Sequence, residues 1–288
     1  MTTTDTTVRG PLLLISKQPK FPNQRPAKKT KCLFQEARSM SPVLYAIFLL
    51  QLSSLSTAAN FTQVYKWDEL DYEWKSEVNK TKALKDGTFN PEKIYPFYMA
   101  VYGTRIFLSL ASYEGVPVSL VTLPTSSASS APPKLTPFPS WDINGKKGDC
   151  NKIEAAAGLQ VDSIGRLWVL DSGSNTCKAK LWITDLINND QTKLIHRFSF
   201  RHNMHDLVLD ETPNGTFAYI SRINQPIIFV FSLERNESWS VKTPKTRVIS
   251  IALSPKEEPR KLYLSRFSNS ENADGQQRDH LCCLLEEG

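Results

Sequence analysis

Apolar and polar residues alternate in short runs from Met99 to Ser265, and Gly, Pro, Asn and Asp break the runs. A period of two is the signature of β-strands, whose successive side chains point to opposite faces. Four stretches share one shape: an apolar strand, a tight turn, and a second strand with an aromatic residue near its centre. They are Met99–Leu110, Leu159–Asp171, Leu207–Ser221 and Ile251–Ser265, with Phe107, Trp168, Tyr219 and Tyr263 as the central aromatics. A third strand recurs as Leu181–Leu186 and Ile228–Leu233, and a fourth follows around Leu194–Phe200 and Ser238–Val241. Four strands in roughly every 40 to 50 residues is the period of a propeller blade. Such a sheet buries both faces against its neighbours, which accounts for nearly continuous apolar runs such as Ile227–Phe231. The spacing predicts an all-β fold, a β-propeller of about three to four blades. Recurrence of the third strand argues against a two-sheet sandwich. Helical periodicity is confined to a short candidate over Asp68–Leu84.

The distribution of charge removes one class of partner. The chain carries a net +6, and residues 1–40 alone hold eight bases (Arg9, Lys17, Lys20, Arg25, Lys28, Lys29, Lys31, Arg38) against two acids (Asp5, Glu36). The remainder is neutral and has no basic field to steer phosphate, so no nucleic-acid partner is expected. No charged residue falls between Arg38 and Lys66. Within that gap Val43–Leu50 is apolar, and Ser56-Thr57-Ala58-Ala59 are small. A basic flank, a short apolar core and a small-residue end are the layout of a secretory signal cleaved near Ala59. The run is short of the about 20 strongly apolar residues that a spanning helix needs. No stable membrane span is expected after cleavage. The chain thus divides into a basic leader (1–40), a signal peptide (41–59), a β-propeller (60–268) and a polar tail (269–288), and the mature protein is expected outside the cell.

Secretion predicts glycan acceptors. Asn-x-Ser/Thr triplets follow the apolar run at Asn60, Asn79, Asn214 and Asn236, the last two at predicted hairpin turns where a sugar can point into solvent. Cys32 leaves with the leader, and Cys150, Cys177, Cys282 and Cys283 allow three pairings. Adjacent Cys282 and Cys283 are poor partners for each other, since neighbouring side chains reach disulfide geometry only with backbone strain, and Cys150–Cys177 is the expected bridge.

Candidate chemistry is sparse. His202, His205 and Asp206 cluster with His196 nearby. The stretch reads as a solvated loop ahead of a strand rather than a helix face presenting two histidines, so neither a metal nor another cofactor is expected. Ser172, in Asp171-Ser172-Gly173, has no identifiable base, and these residue types suit a turn. Asp162 and Asp210 precede hairpin turns and read as turn acceptors, while Arg166 and Trp168 read as packing. No catalytic residue is assigned.

Taken in order, Gln63–Trp74, Ala83–Pro91, Arg105–Leu110 with Gly115–Leu120, Leu135–Trp141, Gly165–Gly173, Asn236–Trp239 and Ile251–Pro255 resemble the yellow and major royal jelly protein family. The resemblance covers residues 61–267 and implies a six-bladed propeller, secretion and an arthropod source. Members of that family act in cuticle pigmentation, serve as dietary glycoproteins or bind small amines in the saliva of blood feeders, and some are associated with dopachrome conversion. This chain departs from the pattern at Ile164, where the family has a cysteine as the implied partner of the one matching Cys150. The segment between Trp239 and Ile251 is short, and the similarity stops after about Phe267. About three blades and one hairpin are therefore expected, an incomplete ring with unpaired strand edges. The resemblance implies two functions. One is a secreted, non-enzymatic protein that binds a small aromatic amine or pigment precursor or acts in cuticle pigmentation. The other is a melanin-pathway enzyme with dopachrome-converting tautomerase activity. The first is favoured, because no acid–base pair is visible and the blades needed to complete an axial pocket are absent.

Overall fold

A computed structural model describes residues 65–126, 133–145, 148–223, 225–243, 247–256 and 258–266, with the backbone of Cys282–Cys283. The expected leader, the signal peptide, Asn60 and nearly all of the polar tail lie outside the described residues. The described chain is almost entirely β, in four antiparallel sheets. The first holds β1 (Pro96–Tyr102), β2 (Arg105–Leu110), β3 (Leu120–Pro124) and β4 (Thr136–Pro137). The second holds β5 (Ala156–Val161), β6 (Arg166–Asp171), β7 (Lys180–Asp185) and β8 (Gln191–Arg197). The third holds β9 (Met204–Thr212), β10 (Gly215–Arg222), β11 (Ile227–Ser232) and β12 (Glu237–Lys242). The fourth holds β13 (Val248–Leu253), β14 (Leu262–Arg266) and β15 (Cys282–Cys283). Each sheet is a simple meander. The four central aromatics, Phe107, Trp168, Tyr219 and Tyr263, each sit on the second strand of their sheet.

The first strands define an axis, because β1 lies beside β5, β5 beside β9 and β9 beside β13. This is the blade arrangement of a propeller, and it explains the apolar strands of the second sheet. Leu167, Val169 and Trp182 turn toward the first sheet and pack on Phe107, Leu120 and Phe138. Their neighbours Trp168, Leu170, Leu181 and Ile183 turn the other way, onto Leu207, Ala218, Ile220 and Phe231 of the third. Each such side chain contributes about 1.5–3 kcal/mol when fully buried. Ile228 of the third sheet packs in turn on Val248, Ile251, Leu262 and Leu264 of the fourth. Close approach near the axis depends on Gly158: a Cβ there would stand 2.7 Å from the Leu207 backbone nitrogen.

The segment before β1 covers the remaining face of the first sheet. Tyr72 is fully buried against Phe89, Leu110, Val121 and Leu135, and its hydroxyl donates to the Val118 carbonyl at 2.9 Å. This burial corrects the expected helix. Helix α1 spans Glu77–Lys85, not Asp68–Leu84, because Tyr72 and Trp74 are drawn onto the sheet. The helix then starts where the Ser76 side chain caps the Asn79 N–H.

Polar contacts join successive sheets at their hairpin ends. Arg105 Nη1 donates to both carboxylate oxygens of Asp190, at 2.9 and 2.8 Å. Ser163 donates to Glu211 through its N–H and its hydroxyl, at 2.9 and 2.6 Å. Arg260 donates to Asp210 through Nε and Nη2, at 2.7 and 2.5 Å. Asp210 is therefore not a turn acceptor. Its carboxylate is buried and takes a guanidinium from the next sheet, because a buried charge needs a counter-ion. Asp162 does organise its own turn, accepting from the N–H groups of Ile164 and Arg166 and from Trp168 Nε1. Among the described residues, no helix is long and apolar enough to cross a membrane.

Candidate functional site

The pairing between first and second strands slips in every sheet, between Pro96 and Tyr98, between Ala156 and Leu159, between Ile220 and Arg222, and between Val248 and Ile251. A bulge leaves N–H groups without a ladder partner. Side chains at the end of the second strand take up such groups in the first and third sheets, and in the second sheet the corresponding side chain takes two N–H groups just ahead of β5. Ser109 Oγ accepts from the Tyr98 N–H at 3.0 Å, Asp171 from those of Glu154 and Ala155 at 3.0 and 3.2 Å, and Ser221 Oγ from that of Asp206 at 3.0 Å. Equivalent polar residues thus fix the backbone at one end of successive first strands.

Two of these ends meet. The hydroxyl of Tyr98 on β1 lies 2.5 Å from Nδ1 of His205 on β9, across 107 residues of sequence. Phe97 adds a third ring, edge-on to the imidazole with centroids 5.1 Å apart. Burial pulls the His205 imidazole below its ordinary value, and a hydrogen bond with the Ile249 backbone opposes this. The ring is therefore neutral at neutral pH, with a lone pair to accept the phenolic proton. Tyr98 is held well above the usual phenol range by burial and by the nearby charge of Asp206. Asp206 accepts from the N–H groups of Leu207 and Ile251, at 2.8 and 2.9 Å, yet burial outweighs these bonds and pushes its carboxyl up to about 6. A neutral phenol, a neutral imidazole and a carboxyl that titrates near neutrality share one end of the axis.

This geometry corrects the loop reading of His202–Asp206. Only His202 and Asn203 form the turn, in the left-handed region with φ of 59° and 67°. The strand begins at Met204, so His205 and Asp206 are strand residues held by the ladder. Tyr98 and Phe97 carried no signal as single residues. Superposing the first hairpin on the third would have found them, since both pairs lie just ahead of the repeated strand. His196 sits apart on β8, its Nε2 2.8 Å from Ser238 Oγ of β12. No group of three metal-ligating side chains occurs among the described residues.

A second cluster lies in the second sheet. Lys180, Asp171 and Glu154 are all fully buried, with Lys180 Nζ 3.2 Å from Asp171 and 3.5 Å from Glu154. The ammonium also donates to the Lys152 carbonyl at 2.8 Å. Burial raises the Asp171 carboxyl, against the opposing pull of Lys180 and of three backbone N–H bonds. The expected turn chemistry is present, because Asp171 accepts from the Gly173 N–H at 2.9 Å, but the same carboxylate is an interior ion-pair partner. Ser172 contributes its N–H to the Ala155 carbonyl. Cys150 and Cys177 are disulfide-bonded beside this cluster, with Sγ atoms 2.01 Å and Cα atoms 5.1 Å apart. Asn79 lies in the first turn of α1, Asn214 in the β9–β10 turn and Asn236 in the β11–β12 turn, all three exposed.

The family described as major royal jelly protein matches residues 155–271. Dopaminechrome tautomerase of Drosophila melanogaster is 27% identical over 227 residues, covering 70% of this chain and 49% of that protein. Protein yellow of Drosophila madeirensis is 27% identical over 212 residues, 68% of this chain and 37% of that protein. Major royal jelly protein 3 of Apis mellifera is 32% identical over 157 residues, 53% of this chain and 28% of that protein. The chain spans half or less of the length of these relatives.

Proposed function

We propose, for a chain that belongs through residues 155–271 to the yellow/major royal jelly protein family, a secreted pigmentation protein that binds a small aromatic amine or pigment precursor. The observation that carries this reading is the meeting of Phe97, Tyr98 and His205 at one end of the propeller axis. Three rings from two sheets offer edges and faces to a planar aromatic ligand. The imidazole and phenol supply hydrogen bonds to ring hydroxyls, and the Asp206 carboxyl, ionised above about 6, favours a cationic amine nearby. The name of one relative, dopaminechrome tautomerase, supports the same chemical class.

Secretion is supported by the basic, apolar and small-residue layout ending at Ala59, and glycan attachment by the exposure of Asn79, Asn214 and Asn236. Asn60 completes the proposed set, and the boundaries at 40, 59 and 268 are proposed with it. Among the described residues, three four-stranded meanders and a three-stranded fourth support the proposed partial ring. A second reading, isomerisation of an oxidised aromatic amine, is favoured by one observation, the 2.5 Å hydrogen bond between Tyr98 and His205.

The test is calorimetric titration of the secreted full chain with dopamine. Saturable binding that is lost in Phe97→Ala is expected. Absence of heat above the buffer control, with the chain folded by circular dichroism, would overturn the reading.

A further inference from the structure

We infer that Lys180 and Asp171 become joined by an isopeptide bond between β7 and β6, with Glu154 carrying a proton in its formation. Lys180 is a buried nucleophile that the amine-binding reading leaves unused. It stands directly opposite Asp171 in the β6–β7 ladder, so both side chains leave the same face of the sheet. Its Nζ lies 3.2 Å from Asp171 Oδ2, one bond away from the carboxyl carbon, and the side chains of Lys180, Asp171 and Glu154 are all shielded from solvent. The ion pair is the reactant state of the bond.

The surroundings supply what amide formation needs. The nitrogen is held in place by the carbonyls of Lys152 and Cys150, at 2.8 and 3.4 Å. Asp171 Oδ1 accepts from the N–H groups of Ala155 and Gly173, at 3.2 and 2.9 Å. Two such donors are placed for the negative charge that an attacked carboxyl develops. Glu154 Oε1 is pinned by the Gly148 N–H and the Ser174 hydroxyl. Its Oε2 is buried, makes no hydrogen bond among the described residues, and stands 3.5 Å from Nζ. A free carboxylate oxygen beside the attacking nitrogen can take a proton and return it. Burial raises the Asp171 carboxyl, which favours the neutral acid that an amine attacks. The ladder holds the two groups together, so they meet without the entropy cost of a bimolecular encounter.

The reaction balances without a co-reactant. Nζ first passes one proton to Asp171 Oδ2, which leaves an amine facing a carboxylic acid. The nitrogen lone pair then attacks the carboxyl carbon, and the carbonyl π electrons move to Oδ1. Glu154 Oε2 removes one of the two protons left on the nitrogen and delivers it to the Oδ2 hydroxyl. That group departs as water with its bonding electrons while Oδ1 restores the carbonyl. One N–H remains on the new amide, Glu154 is a carboxylate again, and no electron is gained or lost. Two buried charges give way to one neutral amide, which removes the desolvation cost that the ion pair carries.

Intact-mass measurement of the purified full chain, after reduction and enzymatic deglycosylation, tests the bond. The expected mass is one water below that of the unlinked chain. Trypsin is expected to release a branched peptide that joins Leu167–Lys178 to Ala179–Lys193, with cleavage after Lys180 blocked. Lys180→Arg and Glu154→Gln, each checked for folding by circular dichroism, are expected to return to the full mass. A folded wild-type chain at full mass, cleaved after Lys180, would overturn the inference whatever the variants do. Loss of water mapped to any other pair of residues would overturn it as well. A linked Glu154→Gln chain would overturn the role given to Glu154.

Discussion

Arg260 closes on Asp210 with two hydrogen bonds to one carboxylate oxygen, at 2.7 and 2.5 Å, and so ties the fourth sheet to the third. The acid is buried and the guanidinium about one-fifth exposed, 19% by side-chain surface. Removing one partner of a buried pair strands the other charge, at a cost of about 3–5 kcal/mol. Arg260→Leu is therefore expected to destabilise the chain by about 3 kcal/mol, and Asp210→Asn with Arg260→Leu by less than that. Urea denaturation of the single and double variants measures the coupling. Equal losses in both would show that the stranded Asp210 carboxylate costs nothing.

Lys180 makes the same point in a tighter setting. Its ammonium faces Asp171 and Glu154, and all three side chains are shielded from solvent. Lys180→Met fills the space but leaves two carboxyl groups without a cation, for an expected loss of about 3–5 kcal/mol. Adding Asp171→Asn is expected to return part of that loss. Denaturation curves of the two variants decide between this outcome and a silent substitution.

Asp206 gives a pH dependence of defined sign. Its carboxyl ordinarily titrates near 3.8 and is pushed up to about 6 in the fold. A raised acid holds its proton more tightly when folded, so its stabilising contribution is present below about 4 and lost as pH rises through about 6. The difference amounts to about 2–3 kcal/mol. Asp206→Asn keeps an acceptor for the Leu207 and Ile251 N–H groups but cannot ionise. Its stability relative to wild type is expected to improve by that amount between pH 4 and pH 7. Comparing the two proteins at each pH cancels the histidines, which act with the opposite sign. A constant difference across the range would contradict the burial assigned to this carboxyl.

Glycan occupancy tests the proposed compartment. Asn214 and Asn236 sit exposed in hairpin turns, and Asn79 is exposed in the first turn of α1. Protein secreted from insect cells is expected to lose mass on enzymatic deglycosylation, with each Asn→Gln variant at 79, 214 or 236 removing one step. An unmodified secreted chain would sink the glycan assignment.

The contrast between what the sequence reveals and what it hides has a physical basis. Strand alternation and the aromatics Phe107, Trp168, Tyr219 and Tyr263 mark the second strands, because their periodicity is local and each sheet repeats the same burial problem. The turn role of Asp162 is equally local, with its donors two to six residues away. Asp210 escapes the same reasoning because its partner is Arg260, 50 residues on. The start of α1 is misplaced because Tyr72 gains more by burial on the first sheet than by continuing a helix. The pairing of Tyr98 with His205 depends on how three successive sheets fan about the axis, and no pattern within one strand encodes that angle.

Nitrogen-detected NMR titration of the His205 side chain, in wild-type protein and in Tyr98→Phe, tests the axial meeting of the first and third sheets most directly. An imidazole titrating below its ordinary value of 6.5, with an Nδ1 resonance that moves when the phenolic hydroxyl is removed, is the expected result. An imidazole that titrates at its ordinary value and is unchanged by Tyr98→Phe would place the two residues apart and contradict both the fan of sheets and the site built on it.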